Sequence, residues 1–147
     1  MKKIFKTLFY SEKKIKKKWF IIDAKNKILG RLSSIVSNII TGKNKPNYSP
    51  NINCGDKVII INSKKIKISG KKKEKKIYIR YTGYPGGKKI YTFKELIKKN
   101  PNKIIENSIK RMLPKNRLGR KIYKKNLYVY SGKEHKHKSQ NIEFFYF

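Results

Sequence analysis

The sequence predicts an α/β domain of three layers, α/β/α, around a largely parallel central sheet of about four strands, with basic extensions at both ends. Three observations carry this expectation. An apolar run of strand length, "WFIIDA", occupies 19–24; an amphipathic helical pattern follows it; a second apolar run, "KVIIIN", lies at 57–62. Strand, helix, strand in that order is a parallel crossover unit, and right-handed crossovers predict helices on both faces of the sheet.

The elements follow in order. Residues 1–18 hold eight lysines and little periodicity, and read as a basic arm. From about Gly30 to Thr41, Leu32, Ile35, Val36, Ile39 and Ile40 recur at helical spacing, and Gly42 ends the pattern. Residues 43–56 form a long loop with two prolines. The β-branched run at 57–62 suits a strand covered on both faces. "KIKIS", 65–69, alternates and predicts a short edge strand; "KKIYIRY", 75–81, predicts another, with Ile77, Ile79 and Tyr81 on one face. "TFKE", 92–95, is a capping box that opens a helix to about Lys99. Asn100 and Pro101 cap and start the next helix, which runs to Pro114. A short helix at 118–126 and a last strand at 127–132 complete the domain, 19–132, and 133–147 is a basic, then aromatic, tail.

Composition bounds the function. Of 147 residues, 40 are basic and 8 acidic, giving a formal net charge of +32. Such an imbalance repels itself in the compact state and implies a polyanionic partner, nucleic acid before membrane. Lys outnumbers Arg 35 to 5, and Ile and Asn are abundant while Ala occurs once, the skew of an AT-rich genome. Residues that run against the skew mark positions demanded by chemistry: Trp19, Asp23, Ala24, Asp56 and the five arginines. The one cysteine, Cys54, allows no internal disulfide and is expected as a small buried residue in a reducing compartment. The opening "MKKIFKTLFY" is broken by Lys6 and shows no cleavage site, and no run reaches the length of a membrane span, so a soluble protein is expected.

Three stretches carry candidate chemistry. In "RYTGYPGGKK", 80–89, Gly83 and Gly87 enclose three residues rather than four, and Lys88 is followed by Lys89 rather than a hydroxyl residue. That spacing does not make a nucleotide phosphate loop. Gly83, Tyr84, Gly86 and Gly87, flanked by Arg80, Lys88 and Lys89, instead suit close approach to an RNA backbone and stacking on a base. "LGR" occurs at 29–31 and again at 118–120, each at an expected helix start, where free amides and the guanidinium of Arg31 or Arg120 favour phosphate. His135 and His137 have no third metal ligand and no carboxylate pair beside them, so neither a metal site nor an acid/base set is expected. Weighed against RNA binding are a DNA-compacting protein and a nucleotide-dependent enzyme; the mixed α/β core argues against the first, the missing phosphate loop against the second.

"WFIIDAKNKILGRLSS", "GDKVIIINSKKI", "YTGYPGG", "MLPKNRLGR" and "LYVYSGKEHKHKSQ" occur in this order. Together they resemble the bacterial large-subunit ribosomal protein L-thirteen family over about residues 15–142. The resemblance implies a three-layer α/β/α domain with a structural, non-enzymatic role, without cofactor or metal, early in large-subunit assembly. It implies large-subunit (23S-type) rRNA and neighbouring ribosomal proteins as partners and the ribosome as location, cytoplasmic in a bacterium or in the stroma or matrix if the chain is organelle-encoded. Carried over are Gly83, Tyr84, Gly86 and Gly87; Met112, Leu113, Pro114, Lys115, Leu118, Gly119 and Arg120; Asp56; and His135 and His137. The family usually has an acid where Asn53 stands and often His where Asn51 stands. Met112 and Leu113 are expected in the core, with Pro114 ending the helix so that Lys115, Arg117 and Arg120 project together.

Overall fold

The computed structural model describes residue 11 and residues 15–147, so the expected arm at 1–18 lies mostly outside the described residues. Four strands form one parallel sheet in the order β5-β2-β1-β6: β1 Trp19–Asp23, β2 Lys57–Ile61, β5 Leu127–Val129 and β6 Ile142–Phe144. The α/β class and the largely parallel four-stranded sheet are as expected. In β2, Val58 to Ile61 are all buried because both faces of that strand are covered. Side chains alternate across the sheet. Val58 and Ile60, with Ile22 of β1, meet the helices, while Ile21, Ile59 and Ile61 form a separate cluster on the other face.

α1, Leu29–Thr41, joins β1 to β2 and buries Leu29, Leu32, Val36, Ile39 and Ile40, the stripe its spacing predicts; Gly42 closes it with its N–H on the Asn38 and Ile39 carbonyls. Each fully buried Leu or Ile contributes about 1.5–3 kcal/mol relative to an exposed one. α3, Phe93–Lys99, α4, Pro101–Met112, and α5, Arg117–Asn126, carry the chain from the far side back to β5. The predicted capping box forms: Thr92 Oγ1 accepts the Glu95 N–H at 3.3 Å, and Glu95 Oε2 accepts the Thr92 N–H at 3.0 Å. Asn100 caps α4 through the Lys103 N–H, with Pro101 in the first turn.

The loop 43–56 is tied down by its own polar groups. Asn126 and Asn53, both 1% exposed, exchange amide hydrogen bonds, and Asn126 Nδ2 also donates to the Ile40 carbonyl at 3.0 Å. Asp56, also 1% exposed, accepts from the Lys18 N–H at 2.8 Å and from Lys45 Nζ at 2.5 Å. Cys54 is buried, as expected.

The structure departs from expectation in five places. First, 65–69 is no strand. Asn62, at φ 58°, turns the chain into a 3₁₀ turn at Ser63–Lys65, and only Lys67 bridges to Ile28. Second, β3 Ile77–Tyr81 is not in the main sheet. It pairs antiparallel with an unexpected strand, β4 Lys88–Thr92, as a separate ribbon preceded by a helical turn α2, Lys72–Lys75. Its buried residue is Tyr78, while Ile77, Ile79 and Tyr81 are exposed. Third, 127–132 is not the last strand. Residues 142–144, inside the expected tail, pair parallel with β1. Fourth, Met112 is 46% exposed. Ile105 and Ile109 set the buried stripe of α4, and Leu113, four residues further, takes the core position instead. Fifth, helices were expected on both faces, and among the described residues the second cluster contains no helical residue. Trp19, Tyr128, Tyr130 and Ile142 cover it, and the connection from β5 to β6 lays His137 against Trp19 and Tyr128.

Candidate nucleic-acid interface

The glycine-rich stretch is the tip of the β3–β4 ribbon. The Thr82 N–H donates to the Gly87 carbonyl at 3.0 Å and the Gly87 N–H to the Tyr84 carbonyl at 2.9 Å. Gly83 and Gly86 take φ of 94° and 71°, a region that penalises any side chain. Gly87 is needed for space: a Cβ there would lie 1.8 Å from Thr82 Oγ1. A strand, not a helix, follows the loop, so the helix N-terminus that a nucleotide phosphate loop requires is missing. Tyr84 stands 81% exposed at the tip. In register, Arg80 faces Lys89 and Tyr81 faces Lys88, so the pairs alternate across the ribbon: Arg80 and Lys89 share the Tyr78–Tyr91 face, and Lys88 the opposite one.

The first of those faces meets α4. Between them runs a groove of about 600 Å³ lined by Tyr78, Arg80, Tyr91, Lys99, Lys103, Asn107, Lys110 and Arg111 among others. Lys103, Asn107, Lys110 and Arg111 fall on one side of α4 by helical spacing. Lys110 also lines a neighbouring cavity of about 210 Å³ with Leu113, Pro114, Lys115, Gly119, Arg120 and Tyr123. A band of cations therefore continues from Arg80 through Lys110 to Lys115 and Arg120, and among the described residues no carboxylate lines either cavity. Five of the described acidic groups are occupied elsewhere: Asp56 by Lys45, Glu74 by Lys94, Glu143 by Lys18, Glu95 in its cap, Asp23 by Asn62 and by the Lys25 N–H. Glu106 faces Tyr123, whose hydroxyl is held above its ordinary pKa by burial and then by that carboxylate.

The two LGR segments are not equivalent. A Cβ on Gly119 would lie 2.0 Å from the Pro114 carbonyl, so this glycine lets the first turn of α5 close onto the preceding segment, and its N–H is taken by Asn116 Oδ1 at 2.7 Å. Around Gly30 there is open space. Arg120 lines the cavity with Lys115; Arg117 is exposed but not part of that lining, so the three do not project into one site. Arg31 is exposed on α1 and lines neither cavity of the band. His135 and His137 lie on the other face of the sheet beside Tyr130 and Trp19; burial first, then the charges of His135 and Lys57, hold His137 below the ordinary histidine pKa. Among the described residues no cluster of three or more His, Cys, Asp or Glu is arranged to hold a metal, and no helix is long and apolar enough to cross a membrane.

Sequence reasoning missed Tyr78, Lys99, Lys103, Lys110 and Arg111. Arg111 carried a usable signal, being one of five arginines in a lysine-rich chain, and the spacing 103, 107, 110 and 111 carried another.

Fold and surface define a small α/β protein that carries a continuous cationic band along its ribbon and α4. The chain belongs to the family described as "Ribosomal protein L13", whose model matches residues 17–136. Similar proteins bear the name large ribosomal subunit protein uL13. That of Symbiobacterium thermophilum is 48% identical over 138 residues, 94% of this chain and 96% of that protein. That of Mycoplasmopsis synoviae is 46% identical over 137 residues, covering 93% and 94%. That of Macrococcus caseolyticus is 50% identical over 137 residues, again covering 93% and 94%.

Proposed function

We propose that this chain is a structural constituent of the large ribosomal subunit, that it lies on large-subunit rRNA beside other ribosomal proteins in the cytoplasmic ribosome, and that it supports subunit assembly. The carrying observation is the band of cations from Arg80 to Arg120, without a carboxylate in its lining among the described residues, in a chain whose relatives are named as large-subunit proteins. Phosphate contacts of this kind supply most of the affinity of a basic protein for nucleic acid. Arg80 and Lys89 on the groove side, Lys115 and Arg120 beyond it, and the tip residues Gly83, Tyr84, Gly86 and Gly87 are the contact groups of this reading, with Tyr84 free to stack on an unpaired base. Arg31 and Arg117 lie outside the linings of the band, Lys88 is on the opposite face of the ribbon, the histidines are on the other face of the sheet, and Gly119 is accounted for by packing. The test is to fractionate cells expressing a tagged copy on a sucrose gradient. Tagged chain in the large-subunit and whole-ribosome fractions supports the proposal; tagged chain on DNA or at the top of the gradient rejects it.

Arg120 offers a sharper test. A Lys at this position keeps the charge but loses the planar fork that binds one phosphate through two parallel hydrogen bonds. Arg120→Lys is expected to weaken incorporation into large subunits by about 1–2 kcal/mol, on the scale of a charge-assisted hydrogen bond. Lys124→Arg, exposed later on α5, is expected to change little. The measurement is competition with the wild-type chain at fixed salt and magnesium. Equal incorporation of Arg120→Lys and wild type leaves Arg120 as generic charge.

A further inference from the structure

Between the ribbon and the end of α4 the groove adjoins a smaller cavity of about 230 Å³. Lys76, Tyr78, Ile104, Asn107, Ser108, Arg111 and Met112 line it, and Tyr78, Asn107 and Arg111 are shared with the groove. Tyr78 is 9% exposed, and its hydroxyl is buried without a hydrogen-bond partner. Native proteins rarely leave such a group orphaned, and each case calls for a reason. Among the described residues the lining also contains two cations, Lys76 and Arg111, and no carboxylate. Lys76 Nζ lies over the Tyr78 ring, 5.3 Å from its centroid. Burial, then the charges of Arg111 and Lys72, hold the Lys76 ammonium below the ordinary lysine range; burial holds the Tyr78 hydroxyl above its ordinary range, and the same Arg111 pulls the other way. Two like charges and an unsatisfied hydroxyl around one small cavity are unfavourable in the free protein and become favourable when an anion enters. At about 230 Å³ the cavity is below the usual size of a drug-sized ligand site, which leaves a small anion.

We propose that this cavity is a seat for one phosphate, bound by Lys76, Arg111 and the Tyr78 hydroxyl, with the Asn107 amide beside it. The phosphate belongs to an RNA backbone, and the adjoining groove continues the strand past Lys103, Lys110 and Arg80. This rests on the ribosomal RNA reading above and adds to it a specific anchoring point. Arg supplies the fork and Lys a mobile point charge, a pairing suited to a phosphodiester held from two sides. The groove's continuity is what favours a polymer over a free phosphate ion, since the seat opens onto a path already lined with cations.

The test uses the full chain and deproteinised bacterial large-subunit rRNA, with filter binding at fixed salt and magnesium. Arg111→Gln is expected to weaken binding about tenfold and Tyr78→Phe about three- to fivefold, within the range for hydrogen bonds to charged groups. Tyr78→Phe is also expected to melt at or above the wild-type temperature, because it removes the orphaned hydroxyl and keeps the ring; a merely structural role for Tyr78 gives the opposite sign. Lys25→Gln, exposed and outside both linings, is the charge control and is expected to stay within twofold. In a second arm, inorganic phosphate is titrated while NMR follows the Tyr78 ring and the Arg111 side chain. If wild type binds rRNA and both variants match Lys25→Gln, the seat is rejected while the ribosomal reading stands. If wild type itself fails to bind rRNA, both fall. If inorganic phosphate saturates the two reporters but neither substitution changes rRNA affinity, the assignment to the RNA backbone is overturned in favour of a free phosphate.

Discussion

Gly55→Ala is expected to destabilise the protein by about 3–4 kcal/mol, at the upper end for overpacking a well-filled site. A Cβ at this position would lie 1.8 Å from the Ile40 carbonyl oxygen and 2.4 Å from its carbon, with Asn126 Nδ2 at 3.1 Å. The first two are backbone atoms of α1, so no rotamer change relieves the clash. The loop must lift, and in lifting it strains the Asp56 N–H bond to the Ile39 carbonyl and the Asn53–Asn126 amide pair. The loss is read as a lower urea midpoint with unchanged slope, and as a fall in Tm on the order of 10 °C. Gly30→Ala is the control, being helical with open space around it; it is expected to leave stability unchanged or raise it by up to about 1 kcal/mol. A wild-type midpoint for Gly55→Ala would mean that the close approach is not a constraint.

Asp56→Ala is expected to cost about 3 kcal/mol. The carboxylate is 1% exposed and its partner Lys45 is 23% exposed, so removing Asp56 leaves a partly buried ammonium unpaired; breaking a buried pair from one side costs about 3–5 kcal/mol, and the exposure of Lys45 places this case at the low end. Asp56→Asn keeps an acceptor for the Lys18 N–H and for Lys45 and is expected to lose roughly half as much. Lys45→Met is the informative partner, since it strands the more deeply buried charge and should cost at least as much as Asp56→Ala. Urea unfolding of the three variants gives the ordering. Lys45 also reaches the carbonyls of Lys16 and Cys54, so Asp56→Ala should additionally speed proteolysis near residues 15–18. If Asp56→Ala and Asp56→Asn are both neutral, the pair is an ordinary surface contact.

Local signals in the sequence were sufficient wherever an element is held by its own neighbours. α1 was legible because Leu32, Val36, Ile39 and Ile40 repeat at helical spacing, and α3 because Thr92 and Glu95 cap each other across one turn. β2 was legible as an unbroken β-branched run. The missed strands are made by distant partners. β6 is three residues long, two of them exposed, and only its pairing with Trp19 to Ile21 makes it a strand. β4 begins with two exposed lysines and is defined by its register with β3. The segment 65–69 alternates as a strand does, yet the left-handed turn at Asn62 directs it away from the sheet. The site divides in the same way. The tip glycines stood out as a clustered loop motif, and Arg120 because it runs against the composition. Lys99, Lys103 and Lys110 were camouflaged among 35 lysines, and only the packing of ribbon against helix selects them.

The pairing of β6 with β1 has a consequence for how the molecule is made. Trp19 and Ile142 are adjacent across the sheet but separated by 123 positions in the chain (142 − 19). Synthesis proceeds from the N-terminus, so β1, β2 and the helices emerge long before their last neighbour exists. Until residues 142–144 are released, the outer edge of β1 presents unpaired amides and carbonyls, a template for pairing with another chain. Such late, long-range closure is slow relative to local helix formation and prolongs that exposure. A nascent or truncated chain ending before residue 142 would be the aggregation-prone form, and the completed β6 acts as the edge guard that ends this vulnerable interval.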